Sequence, residues 1–310
     1  MNGKVPHPIP YQGSKRKIAK HIIRFYPKNF ERLIEPFAGS AAVSIFTAYS
    51  GYQCQFVLND LNASLMELWD AIIYSPDEIA RQYENLWTAQ LGHRKQYYYK
   101  IRDLFNESPR PDYFLYLLAR CVKASVRYNQ NCEFNQSADN RRKGRQPGDM
   151  RDDILAVSHL LKNRTEICSA DYTEVLEKAG QHDLIYMDPP YQGTSTGRDP
   201  RYLESLPFQD LMQTLHQLND RDIQFILSYD GRHGDKEYGK PLPDYLDLIK
   251  IEINAGRSTQ STLNGKSVNT YESLYLSPAL VDRLQSEDTI VEATADSEEV
   301  EQIELVFEEV

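Results

Sequence analysis

Cysteine is scarce and scattered in this 310-residue chain: Cys54, Cys121, Cys132 and Cys168 form no C-x-x-C pair. That pattern argues against a zinc site and against a disulfide framework, so no metal is expected. No apolar run approaches the roughly 18 residues of a membrane span, and the first residues carry no hydrophobic signal segment. A cytoplasmic location is the expectation. Internal repeats are missing too. Positive charge is short overall, with a formal net charge of -10, which taken evenly would argue against a polyanionic partner. It is not even. Residues 286 to 310 hold ten acidic residues and no Lys or Arg, whereas residues 92 to 164 hold fifteen Lys and Arg against eight Asp and Glu. The middle of the chain is basic, and local potential is what a phosphate backbone meets.

The length suits one large α/β domain with an insertion, or two domains. Arg32 to Phe37 reads as a strand entering the turn Ala38-Gly39-Ser40, and Ala41 to Phe46 as a buried helix. Gln53 to Leu58 reads as a second strand ending at Asn59-Asp60. This βαβ unit opens a doubly wound sheet. Leu61 to Ile73 fits a helix that Pro76 closes. Residues 77 to 130 are helical in pattern and rich in tyrosine, and residues 129 to 151 read as a loop. Strands return at Glu166 to Cys168, Asp183 to Met187 and Ile223 to Tyr229, with two more at Leu248 to Ile253 and Glu272 to Leu276. The stretch from about 77 to 160 is therefore an insertion in one sheet. Residues 286 to 300 read as a solvated tail, with an edge strand conceivable at Gln302 to Phe307.

Four strand ends carry chemistry. Asp188-Pro189-Pro190-Tyr191 follows an apolar strand and offers a carboxylate, a carbonyl and an aromatic ring at a sheet's carboxyl edge, where open α/β proteins bind ligands. That equipment suits a planar ring bearing an amino group. Such a group is a poor nucleophile; hydrogen bonds to Asp188 and the Pro189 carbonyl would steer it, while Tyr191 would stack on the ring. The glycine-bearing Gln192 to Gly197 is expected to close over it. At the first strand, Gly39 would let backbone pass close to a ligand. Ser40 and Ala41 stand where a pyrophosphate loop would want glycine, which favours a nucleoside without phosphates. Asp60 is placed like an acid that accepts from ribose hydroxyls. Asp171 either accepts from an exocyclic amino group while Tyr172 covers the ring, or caps the helix Tyr172 to Ala179. Near the N-terminus, Tyr11 could pack on the cofactor and Lys15 could meet its carboxylate or a phosphate.

Together, Tyr11 to Lys15, Glu35 to Ser40, Asn59 to Asn62, Arg127 to Asn129 with Glu133 to Asn135, Ala170 to Tyr172 and Asp188 to Tyr191 resemble, in that order, the Dam-type, alpha-group N6-adenine DNA methyltransferases. The resemblance spans roughly residues 8 to 278. It implies a Rossmann-like class I methyltransferase sheet with a mainly helical target-recognition insertion. Residues 1–76 and 161–285 would form the catalytic domain, 77–160 the insertion and 286–310 an acidic tail. It also implies S-adenosyl-L-methionine held by Glu35, Phe37, Asp60 and Asp171, with Ala38, Gly39 and Ser40 in the same turn. The target adenine would be flipped into the pocket of Asp188, Pro189, Pro190 and Tyr191.

Double-stranded DNA is then the expected partner. Arg141, Arg142, Lys143 and Arg145 are the leading candidates for phosphate contact, with Arg120, Lys123 and Arg127 behind them. Asn129 and Asn135, with Gln130, Asn131 and Gln136, could read base edges. None of the cysteines follows a proline, which argues against carbon-5 methylation of cytosine through a covalent intermediate. Cytosine amino-methylation, an RNA substrate and a catalytically silent DNA-binding protein stay open on sequence alone. So do the oligomeric state and the company of a restriction nuclease.

Overall fold

The computed structural model describes residues 4–190, 206–233, 236–238, 240–257 and 269–287. Their strands are β1 (Arg32–Glu35), β2 (Gln55–Asn59), β3 (Thr165–Cys168), β4 (Leu184–Met187), β5 (Gln224–His233), β6 (Lys236–Tyr238), β7 (Ile249–Arg257) and β8 (Asn269–Leu276). They form one sheet in the order β3-β2-β1-β4-β5-β8-β7, with β6 paired to β5. β3 to β5 along that row are parallel, and β8 enters antiparallel between β5 and β7.

The parallel strands are short apolar runs because both faces are covered. Successive side chains point to opposite faces. Leu33, Phe56, Leu58, Leu184 and Tyr186 join one core with Ile18, Val43, Leu65 and Trp69. Their neighbours Ile34, Val57, Ile185 and Met187 join the other, with Tyr172, Leu176, Leu211 and Leu215. The first core is backed by α1 (Ala19–Ile22), α2 (Ala42–Tyr49) and α3 (Ala63–Tyr74), the second by α8 (Tyr172–Glu177) and α9 (Phe208–Asp220).

Residues 76 to 161 supply α4 (Pro76–Ala89), α5 (Arg94–Glu107), α6 (Pro111–Arg120) and α7 (Pro147–Leu161). Their buried rings, Tyr83, Tyr98, Phe105, Phe114, Tyr116 and Phe134, merge with the first core. This explains the tyrosine content of the segment: rings fill the core while hydroxyls pin the loop that follows. Tyr83 donates to the Arg145 carbonyl at 2.7 Å and Tyr98 to that of Gln136 at 2.9 Å.

Three expectations are extended or corrected. α3 ends at Tyr74 before Pro76 as expected, but Pro76 also opens a new helix, α4, at its first turn, where its missing N–H costs nothing. The loop ends at Gln146, because Pro147 likewise starts α7. Neither α9 nor α10 (Pro278–Ser286), which Ser277 caps by accepting from the Leu280 N–H, was foreseen. Residues 302 to 307 lie outside the described residues.

Candidate active site

Strand order reverses between β1 and β4, which pair in parallel through Leu33 with Leu184 and Ile34 with Ile185. A crevice opens at the carboxyl ends of strands where an open sheet reverses. The turn after β1 and the Asp188-Pro189-Pro190 segment after β4 therefore lie side by side.

The first turn is held from several directions. Gly39 has φ +48°, and an added Cβ would sit 3.3 Å from Tyr11 Cε1. Its N–H donates to Asp60 Oδ2 at 3.1 Å, and its carbonyl accepts from Trp69 Nε1 at 2.9 Å. Asp60 Oδ1 also accepts from the Asn62 N–H at 3.0 Å. Burial raises the Asp60 pKa, and these two donors oppose the rise. Ser40 Oγ donates to Ser14 Oγ at 2.7 Å. Glu35 is 3% exposed and accepts from the Ser44 N–H at 2.7 Å, one of the free donors in the first turn of α2. Burial pushes its carboxyl up to about 7. Gly39→Ala combines left-handed strain with crowding of the Tyr11 ring, and is expected to destabilise the fold by about 1 to 2 kcal/mol; urea unfolding checks it.

Asn59 is the staple that sequence reasoning left without a role. Fully buried, it donates to the carbonyls of Pro36 and Ala170, both at 3.0 Å, and accepts from the Ala170 N–H at 3.0 Å. It thereby fixes the loops after β1 and β3 to the end of β2. Asp171 caps α8 by accepting from the Thr173 N–H at 2.9 Å, and it also lines the cleft. Tyr172 stacks at a tilt on Phe37, ring centroids 5.1 Å apart.

At the other side, Asp188 and Lys15 form an ion pair of 3.0 Å, and Lys15 Nζ lies 3.4 Å from Glu272 of β8. Lys15 thus meets the chain's own carboxylates while also lining the cleft. Burial raises the Asp188 pKa, Lys15 opposes the rise and Glu272 adds to it. Pro189 is buried and Pro190 half-buried. Tyr191 and the loop 192 to 197 lie outside the described residues.

One cleft of about 890 Å³ contains both halves. Its walls include Tyr11, Lys15, Glu35, Phe37, Ala38, Gly39, Ser40, Asp60, Asp171, Tyr172, Asp188, Pro189 and Pro190, all expected from sequence. They also include Asp210, Gln213, Thr214 and Gln217 of α9, which were not expected, and Ser125, Val126 and Tyr128 of the insertion. The volume is of the order that encloses a small organic ligand.

Residues 11–254 match the D12 class N6 adenine-specific DNA methyltransferases. The chain belongs to that family. It is 28% identical over 278 residues to a DNA adenine methylase of Serratia marcescens, covering 86% of this chain and 97% of that protein. To a type II methyltransferase of Lactococcus lactis subsp. cremoris it is 25% identical over 270 residues, 83% of this chain and 90% of the relative. A DNA N-6-adenine-methyltransferase of Escherichia phage P1 is 32% identical over 190 residues, which is 59% of this chain and 23% of that longer protein.

The methyltransferase's basic segment divides on inspection. Arg120 is 1% exposed and donates to Gln90 Oε1 inside the helical core, so it cannot reach a phosphate. It braces the loop instead: Gln90 also donates to the Lys143 carbonyl at 2.8 Å, and a Cβ on Gly144 would come within 3.0 Å of Arg120 Cδ. Arg145 pairs with Asp153 of α7 and donates to the His7 carbonyl at 3.1 Å, both through Nη1. Asn129 bonds within its own loop, accepting from the N–H groups of Asn131 and Glu133 and donating to Glu133 Oε2 at 2.8 Å. Gln136 is buried. Lys123, Arg141, Arg142 and Lys143 are exposed, and Arg127 and Asn135 are half-buried. Lys123 and Ala124 both have positive φ, +60° and +52°. The Ala124 carbonyl accepts from the Gln12 N–H at 2.9 Å, tying this turn to the N-terminal segment beside the cleft.

No helix among the described residues is long and apolar enough to cross a membrane, and none of their His, Cys, Asp and Glu cluster as a metal site.

Proposed function

We propose that this methyltransferase moves a methyl group from S-adenosyl-L-methionine to the N6 amino group of an adenine flipped out of double-stranded DNA. The observation that carries the reading is the single cleft in which Asp188 and the Gly39–Asp60 cradle face a common space. The residues fit such a cofactor. Asp60 uses one lone pair on each oxygen for Gly39 and Asn62, and an ionised carboxylate has further sites for a ribose diol. Phe37 and Tyr172 provide a ring platform. The turn Gly39-Ser40-Ala41 lacks a pyrophosphate-binding glycine pattern, in keeping with a nucleoside that carries no phosphate. When bound, the cofactor supplies an electrophilic methyl carbon on a sulfonium.

The chain's own groups do the rest. Asp188 and the Pro189 carbonyl accept the two amino hydrogens and aim the nitrogen lone pair. The cofactor would supply the methyl carbon and its sulfur would keep the electron pair of the bond lost, and Asp188 with the Pro189 carbonyl would face the amino nitrogen on which positive charge develops. That centre is acidic enough to lose its proton late, so no general base near neutrality is required. Flipping costs a few kcal/mol of stacking and pairing, which contacts from Ser125, Val126 and Tyr128 at the cleft's rim and from the exposed basic residues would offset.

Incubation of duplex DNA with labelled cofactor tests the proposal: label is expected in N6-methyladenine, and label confined to methylcytosine, or to RNA in competition, would defeat it. Arg141→Ala is expected to reduce the magnitude of the log Kd against log salt slope by about 0.9 if that residue meets one phosphate, with little change in unfolding free energy. Titrations across a salt series measure it.

A further inference from the structure

The part of the insertion that borders the cleft is strained. Lys123, Ala124 and Cys132 hold φ of +60°, +52° and +59°, a left-handed conformation that residues with a Cβ keep only where surrounding contacts impose it. Two of the contacts on this segment come from the cofactor side of the cleft. The Ala124 carbonyl accepts from the Gln12 N–H at 2.9 Å, next to Tyr11, whose ring lies against Gly39. Tyr128, 8% exposed, donates its hydroxyl to Asn62 Oδ1 at 3.3 Å. Asn62 in turn donates its N–H to Asp60 Oδ1 at 3.0 Å, and Asp60 Oδ2 accepts from the Gly39 N–H at 3.1 Å. Gln12, Asp60, Asn62 and Tyr128 all line the one cleft.

We infer that Tyr128 is a positioning residue that couples cofactor binding to DNA binding, its hydroxyl tying the strained segment to the carboxylate proposed to hold the cofactor's ribose. The inference rests on the proposed cofactor and DNA sites. A nucleoside seated on Asp60 steadies Asn62, and with it the acceptor that the Tyr128 hydroxyl needs. DNA seated on Lys123 and Arg127 steadies the turn, and with it the donor. Whichever ligand binds first bears part of the ordering cost, so the second binds more tightly. The effect is reciprocal. The Tyr128 ring packs edge-on against Phe134, centroids 6.0 Å apart, within the first core. Deleting the hydroxyl therefore cuts the link without emptying the core.

Tyr128→Phe in the full chain tests this. Equilibrium dialysis of labelled S-adenosyl-L-homocysteine, the product that cannot turn over, gives its Kd without DNA and with a saturating duplex that the wild-type chain methylates. The ratio of the two values is the readout. Wild type is expected to bind about fivefold or more tightly when DNA is present, and Tyr128→Phe by less than about twofold. Tyr98→Phe is the control: its hydroxyl donates from α5 to the Gln136 carbonyl at 2.9 Å, close in sequence to the strained segment but away from Asn62. General loosening would lower its ratio as well. A wild-type ratio of one or less, a Tyr128→Phe ratio that does not fall, or an equal fall in Tyr98→Phe overturns the inference. Should Tyr128→Phe not fold, Asn62→Ser decides in its place: serine can still cap α3 but is too short to meet Tyr128, and the same fall is expected. If the wild-type chain methylates no duplex or binds no cofactor, the functional proposal fails; if it does both and the ratio behaves in one of those three ways, only this inference fails.

Discussion

Asp188→Ala is expected to lower methyl-transfer turnover by about 100- to 1,000-fold while leaving cofactor binding largely intact. The carboxylate sits at the end of β4, across the cleft from the Gly39 turn, and its deletion touches none of the hydrogen bonds around Asp60 and Asn59. In the proposed reaction its loss would remove the acceptor that orients the amino group, and Lys15 would keep Glu272. Single-turnover transfer of label, beside equilibrium dialysis of the cofactor, separates the two effects. Near-normal turnover would mean that the chemistry happens elsewhere.

Glu35→Gln should have the largest effect on stability, and that effect should depend on pH. The folded-state pKa of about 7 lies above the ordinary 4.5, so between these values the folded chain keeps a proton that the unfolded chain releases. The stabilisation from that proton is complete below 4.5 and is lost as pH rises through about 7. Above that range a buried charge remains, supported by the Ser44 N–H. Glutamine keeps an acceptor for Ser44 without the charge. The ligand-free variant is expected to exceed wild type by about 3 kcal/mol in unfolding free energy near pH 8 and by little near pH 5. Urea unfolding at the two pH values measures it, and an equal difference at both would rule out ionisation as the cause.

Much of the sheet was legible because a parallel strand covered on both faces must be a short apolar run, and Leu33-Ile34, Phe56-Val57-Leu58 and Leu184 to Met187 are such runs with polar or turn residues after them. The turn after β1 was legible as small residues between a strand and a helix. α10 carried a readable start in Ser277-Pro278 that the adjoining acidic tail obscured. α9 starts after Pro207 with no side-chain cap, but Leu211, Leu215 and Leu218 repeat at helical spacing and could have been read.

Arg120 shows where local reading stops. An arginine at a helix end inside a basic segment looks the same whether it faces DNA or the core; Gln90, thirty residues earlier, decides it. The same holds for Arg145 with Asp153 and for Lys15 with Glu272.

What the sequence determined by itself was the kind of element at most places and the residue types presented at the strand ends, because periodicity, turn residues and motif order are properties of neighbouring positions. What only the tertiary structure decided was which charges are spent and which are free, because ion pairing and burial depend on segments that the β1–β4 reversal and the β8 insertion bring together from distant parts of the chain.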